Sequence, residues 1–458
     1  MFRSFFPEPR IFFPAAVLWL AIALLGWFTI GDGLRAVISI DRFTSPAICN
    51  PDQAAEIKAA QAASEEGSTG DGATLATPES GATATPNTTN LPDCLVEDAN
   101  FLNGAKIWQY EYIILSAIIF CVFWYFYKRN EWYMWSVVGS AGILLVIYFN
   151  VQVDAFINDW SGTFFNMVQM ALSQPGSVDP GEYYTQVILI FAVLLPNILV
   201  LVLLAFYTSH YVFRWRKAMN NYYMTYWQTI RTTEGAAQRV QEDTMRFASI
   251  VEDLGTSFFS SLITLAVFLP ILWALSVNIT HLPLLEQVPG SLVWVALLAA
   301  ALGTVLLAGV GVKLPGLNFQ NQLVEAAYRK ELVYGEDDAA RAEPLTAREL
   351  FAKVQKNYFR LYFHYTYFNL ARYGYLSVAG YIPLLALSPS ILAGALTLGL
   401  YQQVQLAFGQ VSTSFQFFAR AWSTIVELLS VHKRLVHFER SIPAGAPPAH
   451  VEMTVGVV

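Results

Sequence analysis

Six stretches with no charged residue, Ile11–Ile30, Trp132–Val151, Tyr183–Phe213, Leu254–Val277, Gln287–Val312 and Ile391–Ala419, are each twenty residues or longer. A helix rises about 1.5 Å per residue, so roughly 20 apolar residues carry it across the hydrocarbon core of a bilayer. Runs of that length recurring along one chain confine it to a bundle of membrane helices. Two further runs belong with them. Tyr112–Tyr127 is shorter, rich in aromatics and ends at Lys128 and Arg129, and Leu361–Pro389 carries a single charge, Arg372. The first run is too long for a signal peptide and lacks its small-residue cleavage site. The expectation is an all-α polytopic membrane protein with about eight transmembrane helices.

Composition agrees. Hydrophobic residues make up 55% of the 458 and charged ones 13%, where a soluble domain is about a quarter charged. The mean hydropathy is +0.43. Twenty-seven basic against 34 acidic residues, without a basic block, speak against nucleic-acid binding, and three cysteines exclude a disulfide scaffold. No zinc-ligand spacing, nucleophile elbow or paired-carboxylate pattern occurs, so neither a metal, a cofactor nor an enzyme active site is expected.

Lys and Arg are retained on the cytoplasmic side of membrane helices. With the N-terminus inside, 22 of the 27 basic residues fall in cytoplasmic segments, and Arg35, Arg42, Lys58 and Lys106 lie outside. Both termini are therefore expected in the cytoplasm. Residues 1–131 form two helices joined by a long outer loop, and 132–440 hold the other six. The tail 441–458 is read as flexible. Within the outer loop, residues 46–92 are rich in Ala, Ser, Thr, Gly and Pro and cannot bury enough apolar surface to offset ordering entropy. Cys49 and Cys94 flank this insertion, either as a disulfide closing it or as free thiols. Cys121, mid-helix, reads as an apolar filler.

The two long inner connections share one form. His210–Asp253 reads as two helices joined by a turn around Thr232–Ala236. Asn318–Tyr334 and Thr346–Arg360 flank an acidic turn at Gly335–Asp338. Helix pairs protruding after the second and fourth members of a six-helix set describe the membrane half of an ABC exporter, and the last helix runs on through Trp422–Arg440. In an ABC exporter that position leads to the ATPase. Here no G-x-x-x-x-G-K-[ST] loop is present to cradle phosphates. Gly309–Pro315 is a superficial near-match without the hydroxyl for magnesium. ATP hydrolysis by these residues is not expected.

Several segments resemble the SbmA/BacA family of bacterial peptide uptake proteins: Met1–Pro7, Ser209–Arg216, Glu234–Phe247, Val324–Asp338 and Lys356–Tyr365. Residues 46–92 are the main departure. More weakly, Gln238 and Arg239 with Glu242 and Asp243 resemble a motif of peroxisomal ABC fatty-acyl transporters. The family resemblance implies an inner-membrane homodimer with an ABC-exporter-like fold and no ATPase domain, importing peptides and peptide-like antibiotics on a proton gradient. Two other classes stay open at this point: the membrane subunit of a transporter whose ATPase is a separate chain, and a lipid or fatty-acyl transporter.

Proton coupling needs carboxylates whose ionised form is disfavoured by burial or by like charge. The candidates are Glu234, Glu242, Asp243, Glu252, Glu325, Glu331 and Glu427. Each charge crossing 100 mV supplies roughly 2.3 kcal/mol. The bland alternative is helix-surface pairing: Arg239 and Asp243, Glu242 and Arg246, and Glu325 and Arg329 stand at i,i+4, where ion pairs contribute only about 0.2–0.5 kcal/mol. Tyr358–Tyr375 holds nine Phe or Tyr residues. With Tyr365, Tyr367, Tyr373, His364 and Arg372 it is a candidate wall for varied peptides, or an ordinary interfacial aromatic belt. Arg372, the charge within its run, is a functional candidate by default. Pro196, Pro270 and Pro383 fall inside spans, each removing a backbone donor and permitting a kink.

Overall fold

The computed structural model describes residues 1–39, 104–233, 235–277, 279, 289–338 and 343–442. Glu234, Cys49, Cys94, residues 46–92 and the tail beyond 442 lie outside the described residues. The described chain is helical throughout, without a strand, as the hydropathy pattern predicts. It falls into two compact units, Phe6–Tyr133 on one hand and Met1–Phe5 with the chain from Met134 onward on the other.

The Phe6–Tyr133 unit is a helix pair, α1 (Pro9–Ile38) and α2 (Gly104–Tyr127). Aromatic side chains join them. The Trp19 indole donates to the Ser116 hydroxyl at 3.1 Å, the Tyr112 hydroxyl donates to the Ala23 carbonyl at 2.7 Å, and the Trp27 and Trp108 rings stack. Lys128 and Glu8 form an ion pair.

The larger unit contains α3 (Ser140–Ser173), α4 (Pro180–Thr225), α5 (Thr244–Val277), α6 (Ser291–Gly311), α7 (Leu314–Asp337), α8 (Pro344–Ala379), α9 (Ile382–Leu392), α10 (Leu398–Phe415) and α11 (Phe417–Glu439). At 46 residues α4 is about 69 Å long, more than twice the hydrocarbon thickness. It must project well beyond the bilayer. The return to α5 is made where expected: Gly235 adopts φ +74°, a conformation open to glycine at little cost, and a π-helical turn, Arg239–Asp243, leads into α5. Phe2 and Phe5 pack on this part of the unit. Phe5 stacks on Trp215 with ring centres 5.5 Å apart, and Phe2 meets Phe247 edge-on.

Among the described residues seven helices are long and apolar enough to cross a membrane. The last run along the chain, Ile391–Ala419, differs from expectation. Its middle is α10, whose Gln402, Gln403, Gln405 and Gln410 lower its apolarity. Yet Val404, Ala407, Phe408 and Val411 of α10 are buried against Val151, Phe268, Leu272, Leu292, Ala296 and Leu387. A helix lined by other helices can carry amides that a lipid-facing helix cannot.

The same fact explains a second difference. Residues from Gln152 to Glu182 read as an outer loop, but α3 continues to Ser173. Its polar side chains meet α10. Asn158 Nδ2 donates to the Gln403 carbonyl at 2.7 Å, and Asn166 Oδ1 and Gln169 Oε1 accept from the Gly399 and Leu398 amides at 2.9 and 2.6 Å. The first amides of a helix have no intrahelical acceptor, and here α3 supplies it.

Smaller differences concern helix ends. Gly335–Asp337 completes α7 instead of forming the turn. Pro383 opens α9, whereas Pro196 and Pro270 do lie inside α4 and α5. The last long helix is interrupted at Gln416.

Candidate functional site

A cavity of about 630 Å³ opens between α3, α4, α5 and the α10–α11 junction, within the range typical of ligand sites. Its character comes from α5. Glu252, Thr256 and Ser260 stand four residues apart and share one helical face, with Asp253, Ser257 and Ser261 beside them. The hydroxyls are tolerated in an apolar helix because they donate to carbonyls of the preceding turn, Thr256 Oγ1 to Glu252 at 2.9 Å and Ser261 Oγ to Ser257 at 2.9 Å. Their lone pairs stay open to the cavity. Thr208, Thr413 and Thr424 add hydroxyls from the facing helices, Arg420 adds a guanidinium, and Ile143, Ile147, Leu201 and Leu204 form the apolar side. The result is a net acidic chamber, lined by hydroxyls on one side and apolar on another.

Of the seven expected carboxylates, Glu252 lines this cavity. Asp243, at the end of the π-helical turn and 1% exposed, is held otherwise. Arg434 of α11 grips it through two bonds, Nη2 to Oδ1 at 2.8 Å and Nε to Oδ2 at 3.0 Å, and Arg239 Nη1 reaches Oδ2 at 2.9 Å. Hydrogen bonding to that carboxylate raises the Arg434 pKa. Arg246 bridges Glu242 at 3.0 Å and Glu427 at 3.4 Å, and Gln238 Nε2 donates to Glu242 at 3.1 Å. Two of the three i,i+4 pairs expected are thus formed. The third, Glu325 with Arg329, is not, and Glu325 and Glu331 stand half-buried on α7.

The aromatic stretch lies along α8, and none of its five candidate side chains lines this cavity. Arg372 and Tyr373 are exposed, the guanidinium 6.0 Å from the ring centre. His364 Nδ1 lies 2.8 Å from the Arg360 carbonyl of its own helix, with the Tyr367 ring 5.4 Å away. Tyr365 accepts from Asn318 Nδ2 at 3.1 Å and packs on Leu314, Leu317 and Leu361.

Sequence reasoning passed over Asp253, the hydroxyl rows and Arg420. The rows carried a signal: Ser and Thr at four-residue spacing continue the face of Glu252 into an otherwise apolar run. Arg420 carried none, since its position depends on the break at Gln416.

Fold and site together define a multi-pass helical membrane protein with a polar chamber among its spans. Residues 129–443 match the model of the SbmA/BacA-like family, and the chain belongs to that family. Among curated proteins, the inner membrane ABC transporter ATP-binding protein YddA of Escherichia coli (strain K12) is 27% identical over 329 residues, 67% of this chain and 57% of that protein. The ABC transporter ATP-binding protein sll0182 of Synechocystis sp. is 25% identical over 243 residues, 51% of this chain and 35% of that protein. This chain therefore spans only part of the length of either relative.

Proposed function

We propose that the chain is a proton-driven importer of peptides and peptide-like antibiotics, working by alternating access as a homodimer in the bacterial inner membrane with both termini in the cytoplasm. The observation that carries the reading is the adjacent carboxylates Glu252 and Asp253 at the head of a hydroxyl-lined cavity. Carboxylates side by side share a proton more readily than they carry two charges. Hydroxyls with free lone pairs serve the ammonium and amide groups of varied peptides. In this reading Glu252 binds the coupling proton, Asp253 assists it, and Asp243, tied to two arginines, holds the helix that carries them. Glu325 and Glu331, without ion pairs among the described residues, are the next carriers in line, ahead of Glu242 and Glu427.

The purified chain in liposomes, with acid outside, is expected to accumulate a labelled peptide and to stop when a protonophore is added. Glu252→Gln is expected to abolish accumulation while downhill exchange of the peptide, which needs no gradient, persists. Accumulation by Glu252→Gln at the parental rate would remove Glu252 from the mechanism.

A second reading has its own support: both curated relatives are named ATP-binding proteins of ABC transporters, and the matched residues cover only part of them. On that reading these helices are the membrane portion of an ATP-driven machine. Accumulation that needs ATP and a second protein, and is indifferent to the protonophore, would establish it over the first.

A further inference from the structure

The wall of the cavity opposite α5 comes from a helix that does not run straight. Between α10 and α11 the backbone of Gln416 takes φ −81° and ψ 3°, in the bridge region where helical turns are interrupted and many functional residues sit. Thr413 precedes the break; Phe417, Arg420, Ala421 and Thr424 follow it. All five line the cavity. The direction in which α11 leaves Gln416 therefore sets where that wall stands.

Gln416 is only 3% exposed although its side chain is a primary amide, and a buried amide is costly unless its donors are paired. Both are. Nε2 donates to the Ser412 hydroxyl at 3.0 Å, within α10, and to the Tyr375 hydroxyl of α8 at 2.7 Å. Tyr375 in turn donates to the Ala299 carbonyl of α6 at 3.0 Å. Its ring reaches that carbonyl because residue 303 of α6 is glycine; a Cβ there would stand 2.0 Å from a ring carbon. A hydrogen-bonded relay thus runs from α6 through α8 to the break.

We propose that Tyr375 and Gln416 are positioning residues for transport: their hydrogen bond fixes the angle between α10 and α11 and so the access to the cavity. The inference rests on the transport reading for its activity measurement but not for its structural one. Tyr375→Phe removes one hydroxyl and keeps the ring. With Thr424→Cys as reporter, thiol labelling above the background of the parent chain is expected to accelerate by about threefold or more in Tyr375→Phe, as suits the loss of one hydrogen bond. Maximal peptide uptake is expected to fall by about fivefold with the half-saturating concentration unchanged. Gln416→Asn, whose shorter amide cannot span the same distance, is expected to behave alike. Parental labelling in both Tyr375→Phe and Gln416→Asn overturns the inference, whatever uptake does. Accelerated labelling in a chain whose parent carries no peptide supports the break as a hinge and overturns the transport reading instead.

Discussion

Asp243→Ala is expected to destabilise the protein by about 3 kcal/mol or more, read as a lowered thermal midpoint in mild detergent. The carboxylate is 1% exposed and accepts three bonds from Arg239 and Arg434. Charge-assisted bonds of this kind are about twice as strong as neutral ones. Removing the carboxylate leaves two guanidiniums facing each other without the anion between them. The pairing also closes a long loop, since Arg434 follows Asp243 by 191 residues and ties α11 to the base of α5. Arg434→Met is expected to cost less, because Arg239 still neutralises Asp243. The double variant Asp243→Ala with Arg434→Met should be less destabilised than the sum of the two singles, the signature of groups acting as a unit. A thermal midpoint unchanged in Asp243→Ala would mean that the clasp contributes nothing and that Asp243 is free for another task.

That clasp marks the boundary of what could be read from the chain. Arg239 and Asp243 stand at i,i+4, and their pair is formed as spacing predicts. Spacing alone assigns it to an exposed helix surface. Its burial comes from Arg434, and no local pattern reports which distant helix will cover a given face. The spans and the turn between α4 and α5 were legible because lipid and backbone geometry impose strong local rules. Where helices cover one another those rules relax. Asn158, Asn166 and Gln169 fall in a segment read as a loop, yet they cap and grip α10; Gln403 and Gln410 lie in a charge-free run with nothing to single them out, yet their amides reach α3. The site divides the same way. Glu252, just before an apolar run, was legible as a carboxylate at a membrane boundary. Asp253 and the Ser and Thr rows belong to the same face and follow from it once the helix is drawn. Gln416 and Tyr375 meet across 41 residues, and neither position is marked by its neighbours in sequence.

The contact between α3 and α10 supports the second large effect. Gly399→Ala is expected to destabilise the protein by about 3 kcal/mol, with Gly399→Val worse still. A Cβ at residue 399 would stand 1.9 Å from the Gly162 carbonyl and 2.5 Å from Asn166 Oδ1. The first of these atoms belongs to backbone and cannot swing aside, so the two helices must separate. Separation also withdraws Asn166 Oδ1 and Gln169 Oε1 from the amides of Gly399 and Leu398, leaving only the Thr397 hydroxyl, on the Leu400 amide, to cap the start of α10. Helix propensity works in the opposite direction, since alanine exceeds glycine by about 1 kcal/mol inside a helix, and Gly409 isolates that contribution. It lies in the same helix, and a Cβ there would meet nothing within 4 Å, so Gly409→Ala is expected to hold or raise the midpoint. A fall in Gly399→Ala beside no fall in Gly409→Ala assigns the effect to the helix contact and not to the loss of a flexible residue. Equal midpoints for the two variants would show that α3 and α10 stand farther apart in the membrane than their hydrogen bonds require.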